Sequence, residues 1–293
     1  MKRSIILFLV LGFIGIDNTL VRAQANKYIN TELPGPEPQV FAKGLVSEQN
    51  RFEFGSVFSP DGKEFFYAVI KKGKESIWAM RYEKGEWTKP EVIIEGKSAG
   101  FNDPFLSPDG NRLYYISKYR EEENHSRTDY DIWYSERQGA GWSKPINAGP
   151  EINTPGNEYY ISFTAKGTMY FSTDHYSGHH DIYSADIKNG TFQKAVKESP
   201  AINTRDYEAD VFIAPDESFI IFASRRSSGF GSGDLYISFK ENGAWTQAKN
   251  MGSAINTESN ELCPYVTPDG KYFLYSSKGD IYWVSTEVFE GLR

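Results

Sequence analysis

The chain repeats itself, and the repeat leaves little choice of fold. A tight Pro-Asp-Gly turn between two short runs of β-forming residues stands at "SVFSPDGKEFFYAV" (56–69), "PFLSPDGNRLYYIS" (104–117) and "CPYVTPDGKYFLYSS" (263–277). "VFIAPDESFIIFAS" (211–224) and "ISFTAKGTMYFST" (161–173) are worn copies of the same phrase. Successive turns lie about 48 to 57 residues apart, the period of a propeller blade or a similar repeat unit.

Each copy continues past its hairpin. A loop leads to "ESIWAM" (75–80), "DIWYSE" (131–136), "DIYSAD" (181–186), "DLYISF" (234–239) or "DIYWVS" (280–285). A Gly-containing turn and an aromatic-led run follow in the first four copies: "EWTKPEVI", "GWSKPINA", "TFQKAVKE" and "AWTQAKNM". Four short strands joined by short turns make one blade. The fifth copy has no outer strand of its own, but "EPQVFAKG" (37–44) resembles "KPEVIIEG" (89–96) and can supply it. The sequence therefore predicts an all-β fold: a five-bladed β-propeller with four-stranded blades, its ring closed by an N-terminal strand. Inner strands are expected near 54–59, 102–107, 159–164, 209–214 and 262–267. No blade alone can bury both faces, so stacking around an axis makes the core, and the closing strand covers an edge that would template aggregation. The recurring Trp87, Trp142, Phe192 and Trp245 are expected to pack between blades, and Asp131, Asp181, Asp234 and Asp280 to cap turns.

The first residues are read apart from the fold. Lys2 and Arg3, the apolar "SIILFLVLGFIGI" and Val21-Arg22-Ala23 follow the order of an export signal. Residues 1–23 are accordingly expected to be removed, 24–37 to form a lead-in and 38–293 to form the propeller, with no integral membrane segment after cleavage. The only cysteine, Cys263, offers neither a disulfide framework nor a lipid-anchoring N-terminal thiol. Losing three basic residues and one acidic residue with the leader moves the net charge from −7 to about −9, the wrong sign for a nucleic-acid surface. The expected product is a monomer in the periplasm or outside the cell.

The "SPDGKxxxY" turn followed by "DIY", with "FASRRSSGFGSGDLYIS" and "INTESNELCPYVTPDGKYFLYSS", resembles the WD40-like repeats of TolB-type propellers, exported members in particular. The likeness covers essentially all of the chain beyond residue 23. It implies the fold, and it implies no single activity, because members of that family serve as protein-binding scaffolds and as domains beside peptidases. TolB itself has a further N-terminal domain that this sequence does not match, so its partners are not carried over.

Candidate site residues come from the loops opposite the Pro-Asp-Gly turns, since long irregular loops on one rim carry binding groups more often than uniform turns do. Eight residues before each turn aspartate, or its Lys166 equivalent, stand Glu53, Glu158, Glu208 and Glu261, with Asp103 just past the blade 2 position. Five-fold geometry is expected to gather them at the mouth of the channel as a collar for a cation, a cationic group or sugar hydroxyls. Lys118, Arg120, Arg225 and Arg226, with His175 from the third blade, add a cationic rim suited to an anionic glycan. Tyr119, Tyr176 and Phe230 offer stacking surfaces. "DHYSGHHD" (174–181) brings His175, His179 and His180 together, but in no metal-binding spacing, so no metal and no cofactor is expected. There is no G-x-S-x-G, no H-E-x-x-H and no phosphate loop. The chain reads as a non-catalytic binding module for a glycan or an envelope protein. The alternative is a glycosidase or polysaccharide lyase with its site at the channel mouth.

Overall fold

The computed structural model describes residues 28–29, 32–97, 99–119 and 128–293. The expected leader, 1–23, and Arg120 lie outside the described residues. Five small antiparallel sheets form the ring. Their inner strands are Phe52–Phe58, Phe101–Leu106, Glu158–Phe163, Glu208–Ile213 and Glu261–Val266, one or two residues earlier than the turn spacing predicts. Second and third strands follow in chain order. Outer strands are short: Glu91–Glu95, Ile146–Asn147, Val196–Lys197 and Lys249–Asn250.

Blade 5 takes its outer strand from the other end of the chain. Gln39–Val40 pairs antiparallel with Asp280–Ser285, Gln39 opposite Trp283 and Val40 opposite Tyr282. Phe41 then donates its amide to Ile281 O at 2.8 Å and buries its ring against Trp283, Phe58 and Phe65. The closure thus joins blade 5 to blade 1 through a fully buried phenylalanine as well as through backbone hydrogen bonds.

Neighbouring blades are held at their loop-side ends by a repeated device. The amides of Glu53, Glu158, Glu208 and Glu261 donate to the carbonyls of Gly279, Tyr130, His180 and Gly233 in the preceding blade, at 2.9 to 3.0 Å. The asparagine of each "INT" run does more. Asn153 bonds both the amide and the carbonyl of Ile132, Asn203 those of Ile182 and Asn256 those of Leu235, all within 3.0 Å. The isoleucine beside it, Ile152, Ile202 or Ile255, is buried. A short polar run therefore fastens each incoming loop to the blade behind it, while its apolar residue anchors the loop in the core. The outer aromatics bridge blades as their recurrence suggests: Trp142 meets Phe66, Phe192 meets Tyr114, and Trp245 donates to Glu198 at 3.1 Å. Trp87 instead packs on Phe58 of its own blade.

The carboxylates at 131, 181 and 234 are local. Asn147 donates to Asp131, Ser177 and Lys197 to Asp181, and the amides of Phe230 and Gly231 to Asp234.

Candidate functional site

The four glutamates stand at the loop-side ends of their inner strands, but they are not presented to solvent. All are fully buried. Glu158 accepts from Thr154 at 2.6 Å and Thr173 at 2.9 Å. Glu208 accepts from the amide and hydroxyl of Thr204, at 2.9 and 2.7 Å, and from Ser224 at 3.0 Å. Glu261 repeats that set with Thr257 and Ser277. Glu53, which has no "INT" threonine, pairs with Arg51. Each carboxylate is therefore committed to its own loop, and the open collar expected from five-fold spacing is a set of closed clamps. Arg226 belongs to the same clamp: it is 3.5 Å from Glu208, donates to Ile202 O at 2.9 Å, and stacks on Tyr236.

The residue two positions after each clamp glutamate, or its equivalent Phe101, is different. Gly55, Asp103, Tyr160, Asp210 and Cys263 all adopt positive φ, between 46 and 55°. In every blade the register of inner and second strand shifts there. Five β-bulges thus turn one residue per blade toward the axis. Only glycine takes this conformation freely, and blade 1 alone has one: a Cβ on Gly55 would stand 3.1 Å from both Cα and Oδ1 of Asp103. Its absence lets Asp103 reach inward.

Asp103 and Asp210 converge on Cys263. The thiol lies 3.8 Å from Asp103 Oδ1 and 4.0 Å from Asp210 Oδ2, and the Cys263 amide donates to Asp210 Oδ2 at 3.3 Å. Burial, then the neighbouring Asp210 and Glu75, push Asp103 well above the carboxylate range. Burial lifts Asp210 to about 6, opposed by the Cys263 amide and the nearby Arg225. Burial and the two carboxyls also raise the Cys263 thiol, which stays protonated. Tyr160 closes the channel below, its hydroxyl reaching from blade 3 to Pro264 O of blade 5 at 3.1 Å.

Above the acid pair runs a row of rings. Tyr130 and Tyr159 are 5.4 Å apart, Tyr159 and His180 4.8 Å, His180 and Tyr207 5.1 Å. Lys118 caps one end, its Nζ 4.5 Å from the Tyr130 ring, and Arg225 caps the other at 4.5 Å from Tyr207. Burial raises the phenols of both Tyr159 and Tyr207, followed by Tyr130 and then Asp103 for the first and by Asp210 for the second, so these rings stand neutral over the carboxyls. Burial also depresses His180 despite Asp174 at 3.7 Å.

Of the candidate residues, Asp103, Lys118 and Arg225 thus come together here, while the four glutamates and Arg226 lie in the clamps. His175 is exposed beside Tyr176, away from the row. The histidines of "DHYSGHH" do not converge, since Asp174 is held by Asn157 at 2.8 and 3.0 Å and His180 is packed between the rings of Tyr159 and Tyr207. Among the described residues no group of His, Cys, Asp and Glu forms a metal-holding cluster. Asp210, Cys263 and the tyrosine row escaped sequence reading. The signal was the column Gly, Asp, Tyr, Asp, Cys itself, which varies where the rest of the inner strand is uniform.

No known family model matches the sequence, and no curated protein matches it. Solved structures do resemble the fold. TolB from Acinetobacter baumannii is 17% identical with a TM-score of 0.53, over 83% of this chain and 56% of that one. A putative TolB from Agrobacterium tumefaciens is 17% identical with a TM-score of 0.52, over 79% and 72%. Hydrazine synthase from Kuenenia stuttgartiensis is 15% identical with a TM-score of 0.52, over 80% and 38%. The chain spans only about half the length of the Acinetobacter protein. The five sheets of this chain and these likenesses together give a five-bladed propeller with a TolB-like fold, an architecture that serves proteins of unlike function.

Proposed function

We propose that this chain is an exported binding propeller that holds a glycan against the tyrosine row on its loop face. One observation carries the reading: Tyr130, Tyr159, His180 and Tyr207 form a continuous ring surface, flanked by Lys118 and Arg225, over the buried carboxyls of Asp103 and Asp210, both of which burial pushes upward. Phenol faces stack on the C–H faces of a pyranose, the acid pair donates to and accepts from hydroxyls, and the flanking cations suit a uronate or sulfate. Export is supported by the charged, apolar and small-residue order of the first 23 residues.

Differential scanning fluorimetry against uronic-acid and sulfated oligosaccharides tests the reading, because a ligand that binds only the native state raises its midpoint. The expected result is a saturable upward shift that Tyr207→Ala and Tyr159→Ala reduce, and that Arg225→Ala reduces for anionic sugars more than for neutral ones. No shift with any sugar, alongside capture of a defined envelope protein by the same face, would replace the glycan with a protein partner.

The acid pair favours a second reading. A general acid and a general base need carboxyls in unlike environments, and Asp103 and Asp210 differ in that way, whereas the clamp glutamates repeat one environment. A glycosidase or lyase would then use the pair at the channel mouth. Sugar turnover abolished by Asp210→Asn but retained in a refolded Glu208→Gln would establish it over the binding module.

A further inference from the structure

The Pro-Asp-Gly face carries an opening of its own, on the far side of Tyr160. The inner strands end there around a cavity of about 930 Å³, within the range of small-molecule sites. Its floor is aromatic. Phe105 lies 6.2 Å from Phe163 and 6.1 Å from Tyr265, and Tyr265 lies 5.7 Å from Phe212. The Tyr265 hydroxyl accepts from the Phe58 amide at 3.2 Å and donates to the Phe58 carbonyl at 3.3 Å, so the floor shows ring faces rather than a free donor. Pro60, Pro108, Pro215 and Pro268, one from each of four blades, make the walls higher up. The wall hydroxyls are also used: Ser107 donates to Asp109 at 2.5 Å and Thr267 to Asp269 at 2.8 Å.

Each wall proline is followed by an aspartate: Asp216 and Asp269 line the cavity, Asp61 and Asp109 follow the wall residues Pro60 and Pro108 in sequence, and Lys166 stands in blade 3. Burial is the largest single influence on Asp61 and Asp109 and pushes them up, yet the hydroxyls of Ser59 and Ser107 with neighbouring backbone amides hold both below the usual carboxylate range, and Ser218 holds Asp216 there. The C-terminal 3-10 turn, Thr286–Leu292, adds Phe289 and Glu290 to one wall, followed by Arg293, which rests over Phe239 at 5.3 Å. The cations here are Lys63, 4.0 Å from Asp61 with both side chains exposed, Lys166 in blade 3, and Arg293, which lines the cavity and whose field favours the charged form of Asp216; Asp216, Asp269 and Glu290 outnumber Arg293 in the lining.

We propose that this cavity binds a lipophilic amine, a small molecule whose apolar body fills the aromatic floor and whose protonated nitrogen stays at the aspartate rim. The hydroxyls of Ser107 and Thr267 are already donated within their own turns, which disfavours sugars, and the rim selects the sign of the head group. The site is independent of the loop-face reading, and either can fail without the other.

Isothermal titration calorimetry with 4-phenylbutylamine, 4-phenylbutanol and 4-phenylbutyrate separates the contributions of body and head. Saturable one-to-one binding of the amine is expected, roughly fivefold tighter than the alcohol at low salt, with the carboxylate weakest. Adding salt brings amine and alcohol together. Asp216→Asn is expected to narrow the amine's lead and leave the alcohol unchanged. Ala165→Trp, at an exposed rim position whose amide bond to Pro215 O is retained, fills the mouth and removes binding of both. Ser218→Tyr does the same from the wall of the neighbouring blade, and a urea transition matching the parent certifies either variant as folded. Equal affinity for all three probes, tighter binding of the carboxylate, or undiminished binding in a folded filled variant overturns the proposal. Oligosaccharide shifts are expected to survive both filling variants.

Discussion

Glu158 has two hydroxyl donors on one carboxylate oxygen and, among the described residues, none on the other. Burial lifts it from 4.5 to about 8, with Thr154 and Thr173 opposing. The folded chain therefore holds a proton on Glu158 that the unfolded chain has released anywhere between those two values. In that window the native state binds more protons, so this residue's contribution to stability is complete below about 4.5 and is lost as pH rises through 8. Asp103, Asp210 and Glu53, the last raised to about 7, act in the same direction, and the depressed His180 acts in the opposite one. The informative quantity is thus a difference. Glu158→Gln, which keeps an acceptor for both threonines, is expected to match the parent near pH 5 and exceed it at pH 8.5 by about 1–3 kcal/mol, several degrees in Tm. Thermal melts across that range check it; a gap independent of pH would contradict the assignment. Glu208 poses the opposite case. Glu208→Ala strands the Thr204 amide and the Thr204 and Ser224 hydroxyls in a buried site, and urea unfolding should show a loss of about 2–4 kcal/mol.

Blade strands were legible because turn chemistry is local. Pro-Asp-Gly fixes a hairpin and the alternation beside it fixes two strands, so counting the turns counted the blades. The closing strand was legible too, because "EPQVFAKG" matches an outer strand by sequence, and Phe41 shows what that strand contributes. Phe41→Ala is expected to cost about 3–5 kcal/mol by denaturant titration, the price of a large buried ring at the junction of two blades. The "INT" loops can be assessed separately. Asn203→Ala removes both bonds to Ile182 and should cost about 1–3 kcal/mol, while Asn203→Asp, which keeps the acceptor for the Ile182 amide, should cost less. The bulges were not legible. Asp103, Tyr160, Asp210 and Cys263 take a conformation that their side chains disfavour, imposed by the ring and not by local preference. Strict alternation therefore assigns these residues the wrong direction. Asp103 is legible only because blade 2 lacks the glutamate, and Asp210 is hidden behind Glu208 two places earlier.

At the scale of the ring, the channel is not a pore. Tyr160 spans it between the acid pair and the apolar cavity, and Tyr265 is fixed to the next blade at 3.2 Å. The cavity escaped sequence reading for a related reason: Phe105, Phe163 and Phe212 have the same hydrophobic character whether they fill a core or line an opening, and only the splay of five strand ends distinguishes the two. The molecule thus presents two faces of unlike chemistry, phenols and cations over carboxyls on one side and aromatic walls under an aspartate rim on the other. Their separation by packed rings bears on coupling. Ligands couple only through an element with two arrangements whose balance both of them shift, and the plug is hydrogen-bonded across blades with its tyrosines buried. Saturating the cavity with 4-phenylbutylamine is therefore expected to leave the affinity of a loop-face oligosaccharide unchanged within twofold, and the two thermal shifts to add. Tyr160→Phe keeps the ring but removes the bond to Pro264, and should leave additivity intact. Tyr160→Ala opens the plug, and the expected sign of its failure is a mutual dependence of the two affinities that the parent lacks.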